Sequence, residues 1–148
     1  MSELSANIQA MYQELILDHY RRPRNKGTLE SPDRIVPMRN PLCGDEIDLH
    51  VKFDGDRVSD LKFTGRGCSI SQAAASMMTE AVKGKTTAEA SELWDRYHAM
   101  ILGDQAAASD RTLGPLRSLS GVSKFPARVR CALLAWNALE EALENRTL

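Results

Sequence analysis

The stretch Glu46-Ile47-Asp48-Leu49-His50-Val51-Lys52-Phe53 puts an apolar side chain at every odd position and a polar one at every even position. That is the two-residue period of a strand with one buried face. Asp54-Gly55 follows, a pair suited to the positive backbone angles of a tight turn, and Val58, Leu61 and Phe63 resume the strand signal. Residues 46–63 therefore read as a β-hairpin. It runs into Gly65-Arg66-Gly67-Cys68, a glycine-rich turn, and a short strand over residues 35–38 is expected ahead of it.

Outward from the hairpin the pattern turns helical. Residues 3–20 place Leu4, Ile8, Met11, Tyr12, Leu15 and either Ile16 or Tyr20 at three- and four-residue intervals, and Pro23 ends that helix. A charged, proline-containing connector leads from it to the first strand. Beyond Cys68, residues 69–82 have the Ala and Met content of a buried helix, closed by Gly84. Thr86 or Thr87, with Glu89 or Glu92 behind it, starts a helix through Leu93, Trp94 and Met100. A short helix is expected near residues 113–119. Phe125-Pro126 opens a last one, whose apolar face holds Phe125, Val129, Ala132, Leu133, Trp136, Leu139 and Leu143 and also admits Cys131. The expectation is an α+β fold, a small three-stranded antiparallel sheet packed against about five helices, in one domain spanning residues 1–148.

A formal charge of −1 over 148 residues, with Lys and Arg scattered among Asp and Glu, gives no basic field for nucleic acid. The first residues lack the basic-then-apolar arrangement of a secretory signal, and no apolar run nears the roughly 18 residues of a membrane span. A cytoplasmic protein without membrane or nucleic-acid partners is expected. Its three cysteines cannot all pair within the chain, so they read as metal ligands or reactive thiols.

Cys43 lies just before the first hairpin strand and Cys68 just after the second. Antiparallel pairing brings both loops to one end of the sheet. Gly44 lets the backbone turn between Cys43 and Asp45, and Cys131, in the second turn of the last helix, supplies a third thiolate if that helix ends over the same edge. Three thiolates and a carboxylate suit tetrahedral Zn²⁺ and argue against Mg²⁺ or Ca²⁺. With the metal that set carries a formal charge of about −2, which Arg130 could offset from beside Cys131. Each residue also has a plainer reading: Cys131 alone fits core packing, and Asp45 alone fits a turn or cap. The spacing C-x24-C-x62-C matches no short zinc-finger pattern.

At these residues the chain resembles the IscU-like scaffold proteins of iron–sulfur assembly, which also form the N-terminal part of NifU. The resemblance covers nearly the whole chain. It rests on Asp18-His19-Tyr20 with Pro23-Arg24-Asn25, on Asn40-Pro41-x-Cys43-Gly44-Asp45, on Gly67-Cys68-Ser69-Ile70-Ser71-Gln72-Ala73, and on Cys131. Within the family it is most similar to the SufU branch. The stretch between Cys68 and Cys131 is longer than in ordinary IscU, Arg130 stands where IscU has a histidine, and residues 121–135 depart from the motif by which IscU engages its chaperone.

The resemblance implies Zn²⁺ on Cys43, Asp45, Cys68 and Cys131, with a SufS-type cysteine desulfurase as partner and downstream iron–sulfur assembly proteins beyond it. It implies further that Cys43 leaves the metal, replaced by a desulfurase histidine, and attacks the desulfurase persulfide, which makes the protein a zinc-dependent sulfurtransferase. The alternative is a non-enzymatic scaffold holding a [2Fe–2S] cluster on the same ligands, and a third reading is a purely structural zinc domain. Of the remaining residues, His19 reads as a packing or hydrogen-bonding group, His50 as solvated, and Met77 and Met78 as core. Arg21, Arg22 and Arg24 read as a solvated loop or a contact for the desulfurase.

Overall fold

The hairpin forms as β2 (Asp45–Asp54) and β3 (Arg57–Arg66), antiparallel with Leu49 opposite Phe63 and Val51 opposite Leu61. The computed structural model describes residues 3–144, with side chains from Ala6 onward. Leu4 therefore has its backbone in the first helix and its side chain outside the described residues. Gly55 takes φ 61° at the hairpin turn. The expected strand ahead of it is β1 (Arg34–Asn40), longer at both ends than the sequence pattern and paired antiparallel to β2, so the sheet order is β1-β2-β3. Ile47, Leu49, Val51, Val58, Leu61 and Phe63 are fully buried, each such side chain contributing about 1.5–3 kcal/mol by leaving water.

Helices α2 (Ser69–Val82) and α5 (Pro126–Glu144) lie against each other over the sheet, α5 across β1 and β2 and α2 beside β3. Helix α1 (Glu3–Arg21) packs on α2, and α3 (Thr87–Ile101) packs on α5. Of the cap residues read from the sequence, Thr86 and Glu89 form the reciprocal box at the start of α3. A four-residue α4 (Gln105–Ala108) follows. The short helix expected at 113–119 is a longer 3₁₀ segment (Arg111–Lys124), kinked where Gly114 adopts φ 52°. No helix among the described residues is long and apolar enough to cross a membrane.

Trp136 stacks between Tyr97, at 4.7 Å between ring centroids, and Trp94, at 5.9 Å. The Tyr97 hydroxyl, itself buried, donates to the Ala132 carbonyl at 2.7 Å and so pins α3 to the turn of α5 that carries Cys131. Tyr97→Phe should cost about 1 kcal/mol in urea unfolding, the net value of one buried hydrogen bond, and should leave secondary structure unchanged.

Two expectations change. Phe125 is 61 % exposed, because it precedes the helix with φ −125° and ψ 86° and the helical wheel does not apply to it. His50 is buried, its Nδ1 accepting from the Leu29 backbone N–H at 3.5 Å. It does fall on the second face of the sheet, but there Leu29 of the connector after α1 reaches over it. Met77 and Met78 are core, as expected.

The end of α1 is clamped by side chains. Buried His19 meets Ser76 Oγ on α2 through Nδ1 at 2.7 Å, and the backbone N–H of Arg24 donates to the same hydroxyl at 2.8 Å. Arg22 and Arg24 both pair with Asp18, at 2.9 and 2.7 Å, with the Arg22 side chain still largely in solvent. Burial, reinforced by the Arg24 charge and opposed by Glu80 and Asp18, holds the His19 imidazole below its usual 6.5. The folded state thus takes up this proton less readily than the unfolded one, and stability falls as pH drops below about 6.5. Unfolding free energy should decline between about pH 7.5 and 5.5, and His19→Asn should remove the His19 share of that slope in parallel urea titrations.

Candidate metal centre

Asn40 ends β1 and pairs in register with Asp45, the first residue of β2. Between them Pro41-Leu42-Cys43-Gly44 make a turn closed by the Asn40 carbonyl, which accepts from the backbone N–H of Cys43 at 3.2 Å and of Gly44 at 2.8 Å. Gly44 takes φ 71° there, a conformation L side chains resist. Cys43 is exposed at the turn, whereas Asp45 is 1 % exposed.

The exit of β3, paired beside the start of β2, delivers Cys68, the N-cap of α2, to the same end of the sheet. Its backbone N–H donates to Asp45 Oδ1 at 2.9 Å, and its side chain makes no capping bond. Gly67 makes this closeness possible: a Cβ there would lie 2.4 Å from Asp45 Oδ1 and 2.6 Å from Ser71 Oγ. Cys131 arrives from the second turn of α5, fully buried. The thiols of Cys43 and Cys131 both meet the Ala127 carbonyl at 3.9 Å.

Donor atoms of Cys43, Asp45 and Cys131 lie within 4.8 Å of one another. In a tetrahedral zinc site they would be roughly 3.8 Å apart, so a small contraction suffices. Cys68 stands outside that triple, and its thiol acts on Cys131. The Cys131 thiol is held well above the ordinary cysteine range, first by burial and then by the Asp45 carboxylate and the Cys43 and Cys68 thiols beside it. Among the described residues no Lys, Arg or His pairs with Asp45. A buried carboxylate among thiols and without a cation is costly, and a divalent ion relieves that cost while displacing the thiol protons to solvent. The donor set fits zinc on both counts.

Arg130 is exposed on α5 and forms no ion pair with these groups among the described residues. The neighbour that does reach in is Asn40, 4 % exposed, whose Nδ2 faces Asp45 Oδ2 at 3.5 Å and Cys131 Sγ at 3.9 Å. Its place in the Asn40-Pro41-x-Cys43 run was visible in the sequence, but an asparagine before proline reads as a turn residue.

Comparison with known proteins places the chain in a family. The NifU-like N terminal domain family matches residues 11–146. The zinc-dependent sulfurtransferase SufU of Bacillus subtilis is 49 % identical over 94 % of this chain and 93 % of its own. The iron–sulfur cluster assembly scaffold protein IscU of Streptococcus pyogenes is 44 % identical over 95 % of this chain and 87 % of its own. Among solved structures, SufU of Fervidobacterium islandicum, described as a candidate scaffold for the SUF system, superposes with a TM-score of 0.82 at 40 % identity, over 88 % of this chain and 94 % of that one. The fold, the matched span and the cysteine–aspartate cluster agree: the chain belongs to the NifU-like N terminal domain family and is of its SufU/IscU type.

Proposed function

We propose that this protein accepts sulfur from a SufS-type cysteine desulfurase for iron–sulfur cluster assembly in the cytoplasm, with Cys43 as the acceptor and downstream assembly proteins receiving the sulfur. The observation that carries this reading is the unequal exposure of the cluster. Cys43 is open to solvent, Cys68 is half-buried, and Asp45 and Cys131 are buried. One thiol can therefore meet a docked partner while the others stay in place. Leu42, beside Cys43, and Phe125, two residues before the Ala127 carbonyl that Cys43 meets, are 75 % and 61 % exposed and offer that partner apolar contact.

Zn²⁺, held by Cys43, Asp45, Cys68 and Cys131, would keep the thiols deprotonated at neutral pH. The Cys43 thiolate then attacks the outer sulfur of the desulfurase persulfide. A sulfur–sulfur bond forms on Cys43, the one on the desulfurase breaks, and the desulfurase cysteine leaves as thiolate, with no net oxidation or reduction.

The test mixes the zinc-loaded protein with desulfurase and cysteine, following alanine release and the mass of the Cys43 peptide. Faster release with one added sulfur atom on Cys43 is expected. Neither effect, with a desulfurase shown to be active, would favour the second reading, a [2Fe–2S] scaffold on the same four residues. The 44 % identity to the streptococcal scaffold protein supports that reading, and a stable coloured form on reconstitution with iron and sulfide would establish it.

A further inference from the structure

We infer that Asn40 is a positioning residue for the metal centre, its side-chain amide bridging the two buried ligands, Asp45 and Cys131, and doing the work expected of Arg130. The inference rests on the zinc reading above.

Asn40 brings together three observations. It is 4 % exposed at the end of β1, where an amide needs partners. The atom facing Asp45 Oδ2 at 3.5 Å and Cys131 Sγ at 3.9 Å is Nδ2, which carries two N–H donors and can serve both at once. Its backbone carbonyl, meanwhile, accepts from Cys43 and Gly44. One residue thus holds the buried ligands by its side chain and the exposed cysteine's turn by its backbone.

Both contacts start from the one amide nitrogen, so a single donor group spans the buried carboxylate and the buried sulfur. Asp45 has Oδ1 occupied by the Cys68 N–H and Oδ2 steered by Asn40, which fixes the orientation of the carboxylate. Since Asn40 is neutral, it eases the excess negative charge of the site without a cation that must itself be desolvated. Because its side chain acts on ligands that stay, its effect should not depend on Cys43.

The experiment measures zinc affinity by competition with a chromogenic chelator for the wild type, Asn40→Leu, Asn40→Ala, Cys43→Ala and the Cys43→Ala/Asn40→Leu double variant. Each is checked for folding by circular dichroism, and the cobalt-substituted forms are compared by their thiolate-to-metal absorption. Leucine fills the same space without a donor, and every variant keeps the backbone carbonyl. If Asn40 acts as a donor, both single substitutions weaken zinc binding by about 10–100-fold and change the cobalt spectrum, and the factor persists in the Cys43→Ala background. If leucine restores what alanine loses, Asn40 only fills space and the inference falls. It also falls if the factor vanishes without Cys43, since the amide would then act through the exposed ligand. A wild type that binds no zinc would overturn both this inference and the zinc reading, whereas a zinc-binding wild type matched by Asn40→Leu overturns this inference alone.

Discussion

Cys43→Ala is expected to reduce desulfurase stimulation to nothing: alanine release in its presence should equal that of the desulfurase alone, with no sulfur-bearing peptide recovered. The size of the effect follows from access. Transfer to a thiolate requires the attacking sulfur to approach in line with the persulfide bond, so exposure and thiolate fraction set the rate. Cys131 is fully buried and held as a thiol unless a cation is present, and Cys68 is half-buried at the helix start. Neither can replace the thiol on the Pro41–Gly44 turn. Asp45, Cys68 and Cys131 remain in the variant, so it should still bind zinc, more weakly, and fold. Undiminished stimulation by Cys43→Ala would sink the sulfur-acceptor reading, because the zinc site would then act on the desulfurase without taking its sulfur.

How far the sequence alone reaches can be followed ligand by ligand. Cys43 and Cys68 are 25 positions apart, yet strand alternation places them together, since antiparallel pairing determines which loops share an end of the sheet. The Cys68 N–H reaching Asp45 confirms that proximity. Cys131 is different. Its arrival depends on α5 crossing β1 and β2, a packing choice that helical periodicity does not specify, and family resemblance carried it where spacing could not. His50 shows the limit of a two-residue period, which tells the faces of a strand apart but does not say what covers the second. Asn40 and Arg130 show the matching limit for charge. The formal excess of the ligands called for a positive neighbour, and Arg130 was the cation closest in sequence, but its side chain leaves α5 toward solvent while a neutral amide from β1 occupies the interior position.

Removing zinc should lower the unfolding free energy by about 4 kcal/mol when free zinc beforehand is about a thousand times the dissociation constant, because binding to the folded state alone contributes RT ln(1 + [L]/Kd). At this chain length 1 kcal/mol moves the melting temperature by about 2–4 °C, so chelation should lower it by roughly 8–16 °C. The loss should stop short of unfolding. The four proposed ligands lie in the β1–β2 turn, at the start of β2 and of α2 and in the second turn of α5, whereas Ile47, Leu49, Phe63, Trp136 and Leu139 form a core that continues without them. Circular dichroism of the chelated protein at room temperature should therefore retain its helical signal, and zinc should restore the original melting temperature. Complete unfolding on chelation would favour a structural zinc domain. An unchanged melting temperature would mean that zinc is not what the folded state holds. Cys43→Ala separates the roles: it should keep a measurable part of the zinc-dependent stabilisation, through Asp45, Cys68 and Cys131, while losing sulfur acceptance entirely. A variant stabilised by zinc yet unable to take sulfur would divide the site into three residues that hold the metal and one that reacts.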